Sequence, residues 1–118
     1  FEAIMQFRAL VKQVPFSPYK LRPYVEGVRG REVSYALQLL TTQAAQRALP
    51  IRKVIQSAAA NAKDRQGLEV SELFVKEIRV DQGKTFRYFK PGSMGRAATQ
   101  RKRFSHISVI LEAKNKEA

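Results

Sequence analysis

One stretch of the chain has the residue types that bind nucleic acid. From Gly83 to Arg103 it reads GKTFRYFKPGSMGRAATQRKR and contains no Asp or Glu. Phe86, Tyr88 and Phe89 are interleaved with its basic residues. Lys and Arg pair with phosphates and aromatic rings stack on bases, so a polyanion such as RNA would use both kinds of side chain. The basic residues are Lys84, Arg87, Lys90, Arg96, Arg101, Lys102 and Arg103.

The charge of the whole chain points in the same direction. Its 118 residues include 22 Lys or Arg and 10 Asp or Glu, so the formal charge is 22 − 10 = +12, and the stretch Gly83–Arg103 supplies +7 of it. Such an excess favours nucleic acid or an anionic membrane as the partner over a surface that is merely basic. No apolar run approaches the ~20 residues of a membrane span, and no signal peptide is visible.

The sequence lacks the residue sets that an enzyme or a metal site needs. It has no Cys and one His, which excludes disulfides and zinc sites of the His/Cys type. His106 follows Ser105 in a predicted strand, where neighbouring side chains point to opposite faces, so the two do not form a catalytic relay. We therefore expect no catalytic residue, metal or cofactor. His106 is expected to be a packed or hydrogen-bonded residue, and Asn61 a structural hydrogen-bonding residue.

Two predicted strands frame the basic stretch. Leu73–Val80 and Phe104–Leu111 are rich in β-branched and aromatic residues, which is typical of strands. A structureless loop as long as the basic stretch is uncommon, so the pattern predicts a hairpin whose far end leaves the body of the protein. Gly92 and Gly95 are predicted to be turn residues with positive φ. Near the start of the chain, alternation of apolar and polar residues predicts a further strand over about residues 2–10.

Three helices are predicted between the first strand and the other two. Ser17 is expected to cap the first helix, with Pro18 in its first turn and Gly30 at its end. Pro23 conflicts with this helix and predicts a kink or a later start. The second helix is predicted over Arg31–Leu40 from apolar residues at helical spacing.

The third predicted helix runs to about Arg65. Thr41 or Thr42 is expected to cap it, and its second half is crowded with small residues that permit close packing. Pro50 falls inside the predicted helix and predicts a kink or a break there.

The order of the motifs resembles one known family. SPYKLR is followed by VRG-R, SAAANAK, VDQG, MGRA and KRFSHISVIL. In this order and spacing, from about Ser17 to Leu111, they are similar to the bacterial-type large-subunit ribosomal protein twenty-two family. The residues that stand where the family pattern has the same residue are Gly83, Pro91, Gly95, Arg96, Ala97, Lys102, Arg103, Ser105 and His106.

The resemblance implies a fold and a function. The fold is α+β, with three helices packed on a small three-stranded antiparallel sheet and a long protruding β-hairpin. A single ribosomal RNA-binding domain is implied, with a globular body (residues 1–82 and 102–113), an extended basic hairpin (about 83–103) and a polar tail (114–118). The implied function is that of a structural constituent of the large ribosomal subunit. Such a protein binds the subunit's RNA, supports assembly and lines the nascent-peptide exit tunnel with its hairpin.

The resemblance and the residue types together predict the site and its partners. The partners are large-subunit ribosomal RNA, neighbouring large-subunit proteins at the tunnel and the nascent peptide at the hairpin tip, with no membrane and no second copy of this chain. The expected location is the ribosome in the cytoplasm, or an organellar ribosome of bacterial type. The predicted RNA-binding residues are Lys20, Arg22, Arg29, Arg31, Lys84, Arg87, Tyr88, Lys90, Arg96, Arg101, Lys102 and Arg103. The predicted tip residues are Pro91, Gly92, Ser93, Met94, Gly95, Arg96 and Ala97.

A second function remains open from the residues alone. A free-standing regulator could insert a β-ribbon into a groove of a nucleic acid. Such a ribbon usually keeps polar side chains on one regularly alternating face. Pro91, Gly92 and Gly95 interrupt that alternation here, which favours the ribosomal interpretation.

Overall fold

The computed structural model describes residues 6–43, 46–92, 95 and 97–113, which form an α+β fold of three helices and a three-stranded antiparallel sheet. The predicted fold class is confirmed. A short 3-10 helix, Val70–Glu72, precedes the second strand. In chain order the elements are β1 (Gln6–Val14), α1 (Pro18–Val28), α2 (Val33–Thr42), α3 (Ala48–Gln66), β2 (Leu73–Pro91) and β3 (Ala97–Ala113).

β3 is the central strand of the sheet. It pairs with β1 on one side and with β2 on the other, so Leu111 lies opposite Phe7 in β1 and Val75 in β2. Residues opposite one another share a face of the sheet, and all three of these side chains are buried. The helices pack against this face. Their largest contributions to the core are Leu21, Val25, Val28, Val33, Leu40, Ile51, Val54 and Ile55.

α1 begins where the Ser17–Pro18 pattern predicts. Ser17 occupies the N-cap position, but its side chain makes no capping hydrogen bond, so that part of the prediction is wrong. Pro23 lies inside the helix and does not delay its start. After the helix ends, the Gly30 N–H donates to the Val75 carbonyl at 2.9 Å, which ties the end of α1 to β2.

The boundary between α2 and α3 differs from the prediction. Thr41 and Thr42 belong to α2, and their hydroxyls donate to carbonyls of that same helix at 2.6 and 2.8 Å. Because these hydroxyls are used there, neither residue caps the third helix, which begins at Ala48. Pro50 is therefore in the first turn of α3, where a missing N–H breaks no intrahelical bond.

The strands differ in length from those predicted. β1 continues to Val14 rather than ending near residue 10, and the predicted residues 2–5 lie outside the described part of the chain. β2 and β3 remain paired beyond the core, as far as Pro91 opposite Ala97. The molecule measures 73 × 29 × 21 Å along its principal axes. The predicted polar tail 114–118 also lies outside the described residues.

In the described part of the chain, no helix has both the length and the apolar character required to cross a membrane.

Candidate nucleic-acid interface

A bulge in β1 marks the level at which the hairpin begins. The register of β1 against β3 shifts between Val11 and Val14. Gln13 in this bulge has a φ of 60°, and its backbone N–H donates to Nδ1 of His106 at 3.2 Å. The predicted structural hydrogen bond of His106 is confirmed, and its acceptor atom is used by the body of the protein. Asn61 is also confirmed as a structural hydrogen-bonding residue, because its amide donates to a β1 carbonyl at 3.3 Å.

A second bulge, in β2, lies beside the first. The register of β2 against β3 shifts between Gln82 and Thr85. A Cβ atom on Gly83 would lie 3.1 Å from both the Phe104 carbonyl oxygen and Cε1 of His106. Because the carbonyl is backbone, a larger residue here would require the two strands to shift by a few tenths of an ångström. The two bulges bend the sheet at the point where the basic hairpin leaves the core.

Ser105 connects the loop after β1, which contains Phe16, to this junction. Its side chain is fully buried, and its hydroxyl donates to the Phe16 carbonyl at 2.6 Å. His106, the next residue, faces the opposite side of β3, as the alternation predicts. The Ser–His pair therefore holds the base of the hairpin in place from both faces of the strand.

Beyond the bulges the sheet carries Arg opposite Arg. Arg87 in β2 lies directly across from Arg101 in β3, and Arg103 follows on the same face. All three side chains are exposed. Like charges directly opposite one another destabilise an antiparallel pair, so this face gains stability when an anion lies between the cations. An RNA backbone supplies such anions at regular spacing.

The other face of the hairpin carries mixed basic and aromatic groups. Lys102 lies across from Phe86, and its ammonium sits 5.7 Å from the centroid of the Phe104 ring. Lys84, in the β2 bulge, is exposed. Tyr88 and Lys90 belong to the paired part of β2. The face thus offers charge beside an aromatic surface, which suits contact with both phosphate and base.

Three of the predicted cations of the body are exposed. Two of them lie near aromatic rings, and the third lies in the first turn of α1. The Arg22 guanidinium lies 5.2 Å from the centroid of Tyr19, which is 69% exposed. Arg31 lies 5.4 Å from the centroid of Tyr35, which is 46% exposed. Each pair presents a flat, charged platform on which a nucleobase can stack. Lys20 is exposed in the first turn of α1.

Arg29 differs from the other predicted cations because the body of the protein already uses it. Its guanidinium forms a 2.6 Å ion pair with Glu26 and donates to the Ile78 carbonyl at 2.8 Å. It therefore links the end of α1 to β2. Sequence spacing placed Arg29 off the apolar face of the helix, but it could not reveal this contact.

The tip of the hairpin is described only in part. Pro91 and Ala97 form its last backbone pair, and Gly95 has a φ of 75°, as predicted for a turn glycine. The positive φ predicted for Gly92 stays a prediction. The predicted tip residues Ser93, Met94 and Arg96 lie outside the described residues.

The fold brings one predicted cation of the body, Lys20, to the same groove as Arg101, Lys102 and Arg103 of the hairpin, but not the other predicted cations. The groove has a volume of about 360 Å³ and lies between the start of α1 and the base of the hairpin. The sequence identified its basic residues but did not indicate that the loop after β1 forms its other wall. The isolated apolar Phe16 between two prolines was the available signal for that loop. The lining residues are Pro15, Phe16, Ser17, Lys20, Arg101, Lys102 and Arg103.

Within residues 6–43, 46–92, 95 and 97–113, no three His, Asp or Glu side chains cluster in a way that could hold a metal ion.

Comparison with known proteins identifies a close set of relatives. The sequence matches the family described as Ribosomal protein L22p/L17e over residues 9–112. The large ribosomal subunit protein uL22 of Desulfitobacterium hafniense strain Y51 is 42% identical over 111 residues, covering 94% of this chain and 97% of its own. The uL22 protein of Pelotomaculum thermopropionicum is 37% identical over 110 residues, covering 93% and 97%. The protein uL22c of Chlorokybus atmophyticus is 39% identical over 108 residues, covering 92% and 91%.

Proposed function

This chain belongs to the ribosomal protein L22p/L17e family, and we propose that it binds the RNA of the large ribosomal subunit through the exposed cations of its hairpin and adjoining body. It is a structural protein of that subunit and not an enzyme. The observation that carries the RNA-binding proposal is the Arg87–Arg101 pair, which holds two like charges in register on an exposed face. Among the described residues, no carboxylate pairs with either guanidinium, so their counter-charge must come from a partner or from salt.

The chemistry of Arg and Lys favours phosphate as that counter-charge. A guanidinium is planar and donates two parallel hydrogen bonds to a phosphate, and it stays charged at every working pH. The stretch Gly83–Arg103 supplies four guanidinium groups and three Lys ammonium groups without an acid among them. The Tyr19–Arg22 and Tyr35–Arg31 platforms add sites for bases that are not paired in the RNA.

The tip, Pro91–Ala97, has a different role in this proposal: it lines the nascent-peptide exit tunnel. The support is the resemblance of its motif to the family pattern, together with the Gly95 turn at the far end of the paired strands. Its sequence carries one cation, Arg96, between small and apolar residues. Such a surface holds weakly to whatever passes it, while the cations of the paired strands anchor the hairpin in RNA.

The salt dependence of RNA binding tests the main proposal. If about seven cations neutralise phosphates, log K for large-subunit RNA falls against log salt with a slope of roughly −5 to −6. Replacing Lys53 and Lys63, which are exposed on α3 outside the predicted site, with Gln provides the control and should leave the slope unchanged. A slope near zero for the unaltered protein contradicts the proposal.

Deleting Ser93–Met94–Gly95 separates the tip from the anchoring strands. The basic residues of the paired strands remain, so subunits should still assemble and sediment normally. Translation of a reporter with a stalling peptide should change, as read by ribosome profiling. Loss of subunit assembly, or normal assembly with unaltered stalling, contradicts the role given to the tip.

A further inference from the structure

The groove between α1 and the hairpin has the charge of an anion site. Lys20 lies on one side and Arg101, Lys102 and Arg103 lie on the other, while no carboxylate lines it. In the described part of the chain, neither Lys20 nor Arg103 makes an ion pair or a side-chain hydrogen bond. These cations converge from segments more than 80 residues apart and are not neutralised by the protein itself. An anion entering the groove would therefore gain contacts from both sides.

Besides the cations, Pro15, Phe16 and Ser17 line the groove, and the two apolar residues among them define the anion further. Pro15 and Phe16 form part of the wall beside the cations. The volume of about 360 Å³ corresponds to roughly twelve water molecules at ~30 Å³ each, which exceeds the volume of a phosphate group. A phosphate alone would leave the apolar wall in water. A phosphate that carries a sugar would cover the wall as well as pair with the cations.

The body holds this wall in a fixed position. The Phe16 N–H donates to the Val14 carbonyl at 2.8 Å, and the Phe16 carbonyl accepts the buried Ser105 hydroxyl at 2.6 Å. Ser105 is two residues from Arg103 on the same face of β3. The apolar wall and the hairpin cations are therefore positioned by one hydrogen-bonded unit before any ligand arrives, which lowers the entropy cost of binding.

We propose that this groove holds one sugar–phosphate unit of ribosomal RNA, with its phosphate between Lys20 and Arg103 and its sugar against Pro15 and Phe16. The inference rests on the proposed RNA-binding function and adds a specific contact to it. A phosphate held from both sides joins the body to the base of the hairpin. It thereby fixes the direction in which the hairpin enters the RNA.

Charge removal at the groove tests whether Lys20 and Arg103 share one phosphate. Lys20→Gln and Arg103→Gln should each lower the magnitude of the salt slope by about one. The double variant should also lower it by about one, because both cations hold the same phosphate. Both residues are exposed, so the thermal midpoint of unfolding should stay at the value of the unaltered protein. The control is the Lys53→Gln, Lys63→Gln double variant, which removes the same charge from α3.

Ethylation interference on the RNA locates the contact. Ethylation of one phosphate should weaken binding of the unaltered protein and of the control, but should have no further effect on the double groove variant. If the double variant lowers the slope by about two, the cations hold separate phosphates, and the inference is overturned. An interference pattern identical in all proteins also overturns it, while the RNA-binding function stands. A slope near zero for the unaltered protein removes the function itself.

Discussion

β2 and β3 pass through two environments along one continuous ladder. In the body, Ile78 and Val109 lie opposite each other and are buried beneath the helices. In the hairpin the corresponding positions are Arg87 and Arg101, which are exposed. The backbone pairing is the same in both places. What differs is the source of stability, because buried apolar side chains supply it in the body, whereas backbone pairing continues in the hairpin between exposed Arg side chains.

The difference defines what the proposed RNA partner would contribute to stability. Burying an aliphatic side chain stabilises the body by roughly 1.5–3 kcal/mol. Within the described residues of the hairpin, no aliphatic side chain is buried, and the facing Arg residues repel each other. An isolated two-stranded hairpin is marginally stable in water. The junction at Gly83 thus divides a part that has its own core from a part that the proposed polyanion would stabilise.

The largest expected effect is a core substitution in the body. Ile107 is fully buried in β3, so Ile107→Ala should lower the free energy of unfolding by about 2–5 kcal/mol. Thr85→Ala, in the exposed part of β2, is the matched change in the hairpin and should alter it by less than about 0.5 kcal/mol. Urea unfolding followed by circular dichroism measures both. Equal losses would show that the hairpin shares the stability of the body.

A smaller effect is expected at the junction. Gly83→Ala places a methyl group about 3.1 Å from the Phe104 carbonyl oxygen, and the resulting strain should cost about 1–3 kcal/mol. Gly27→Ala is the control, because its new methyl group would lie 3.5 Å from Cδ2 of Leu39, an ordinary contact. Since alanine is the better helix former, Gly27→Ala should stabilise the protein by about 0.5–1 kcal/mol. The same urea measurement gives both values, and two changes of the same sign would contradict the account of the bulge.

The sequence predicted the body better than the junction. The start of α1 and the two strands beside the basic stretch follow from the Ser-Pro signal and from the residue types of the strands, while the fold class was implied by the family resemblance. The prediction that Thr41 or Thr42 caps the third helix was wrong, because a Thr hydroxyl can donate to a carbonyl of its own helix as well as cap the next one. Nothing local distinguishes these two uses.

The groove illustrates a different limit of the sequence. Lys20 and Arg103 were each predicted to bind RNA, but their approach depends on the pairing of β1 with β3 and on the Ser105–Phe16 hydrogen bond. The hydrogen bond joins residues that are 89 positions apart, and the strand pairing joins the two ends of the chain. Periodicity reports which face a residue occupies within its own element, so it cannot report which faces meet. The continuation of β2 beyond Val80 could not be predicted from alternation, because the hairpin has no core to impose it; the extended hairpin was predicted from the long basic stretch and the family resemblance.

The smallest expected effect is on amide hydrogen exchange in the hairpin of the free protein. The substitution that stabilises the free hairpin should weaken the binding of RNA. Arg101→Glu replaces a repulsive pair with an attractive one across from Arg87, so amide hydrogen exchange in the paired hairpin should slow by about two- to fivefold at low salt. Lys102→Glu is the matched control, because it makes the same change of charge one residue away, across from Phe86. It should not slow exchange, since it gains no opposite charge across the strands. At about 1 M salt the screening length falls to about 3 Å, and the difference between the two variants should vanish. Both variants should weaken RNA binding, because each removes a cation and adds an anion where phosphate is expected. Equal slowing of exchange in both variants would show that net charge, and not the Arg87–Arg101 register, limits the stability of the free hairpin.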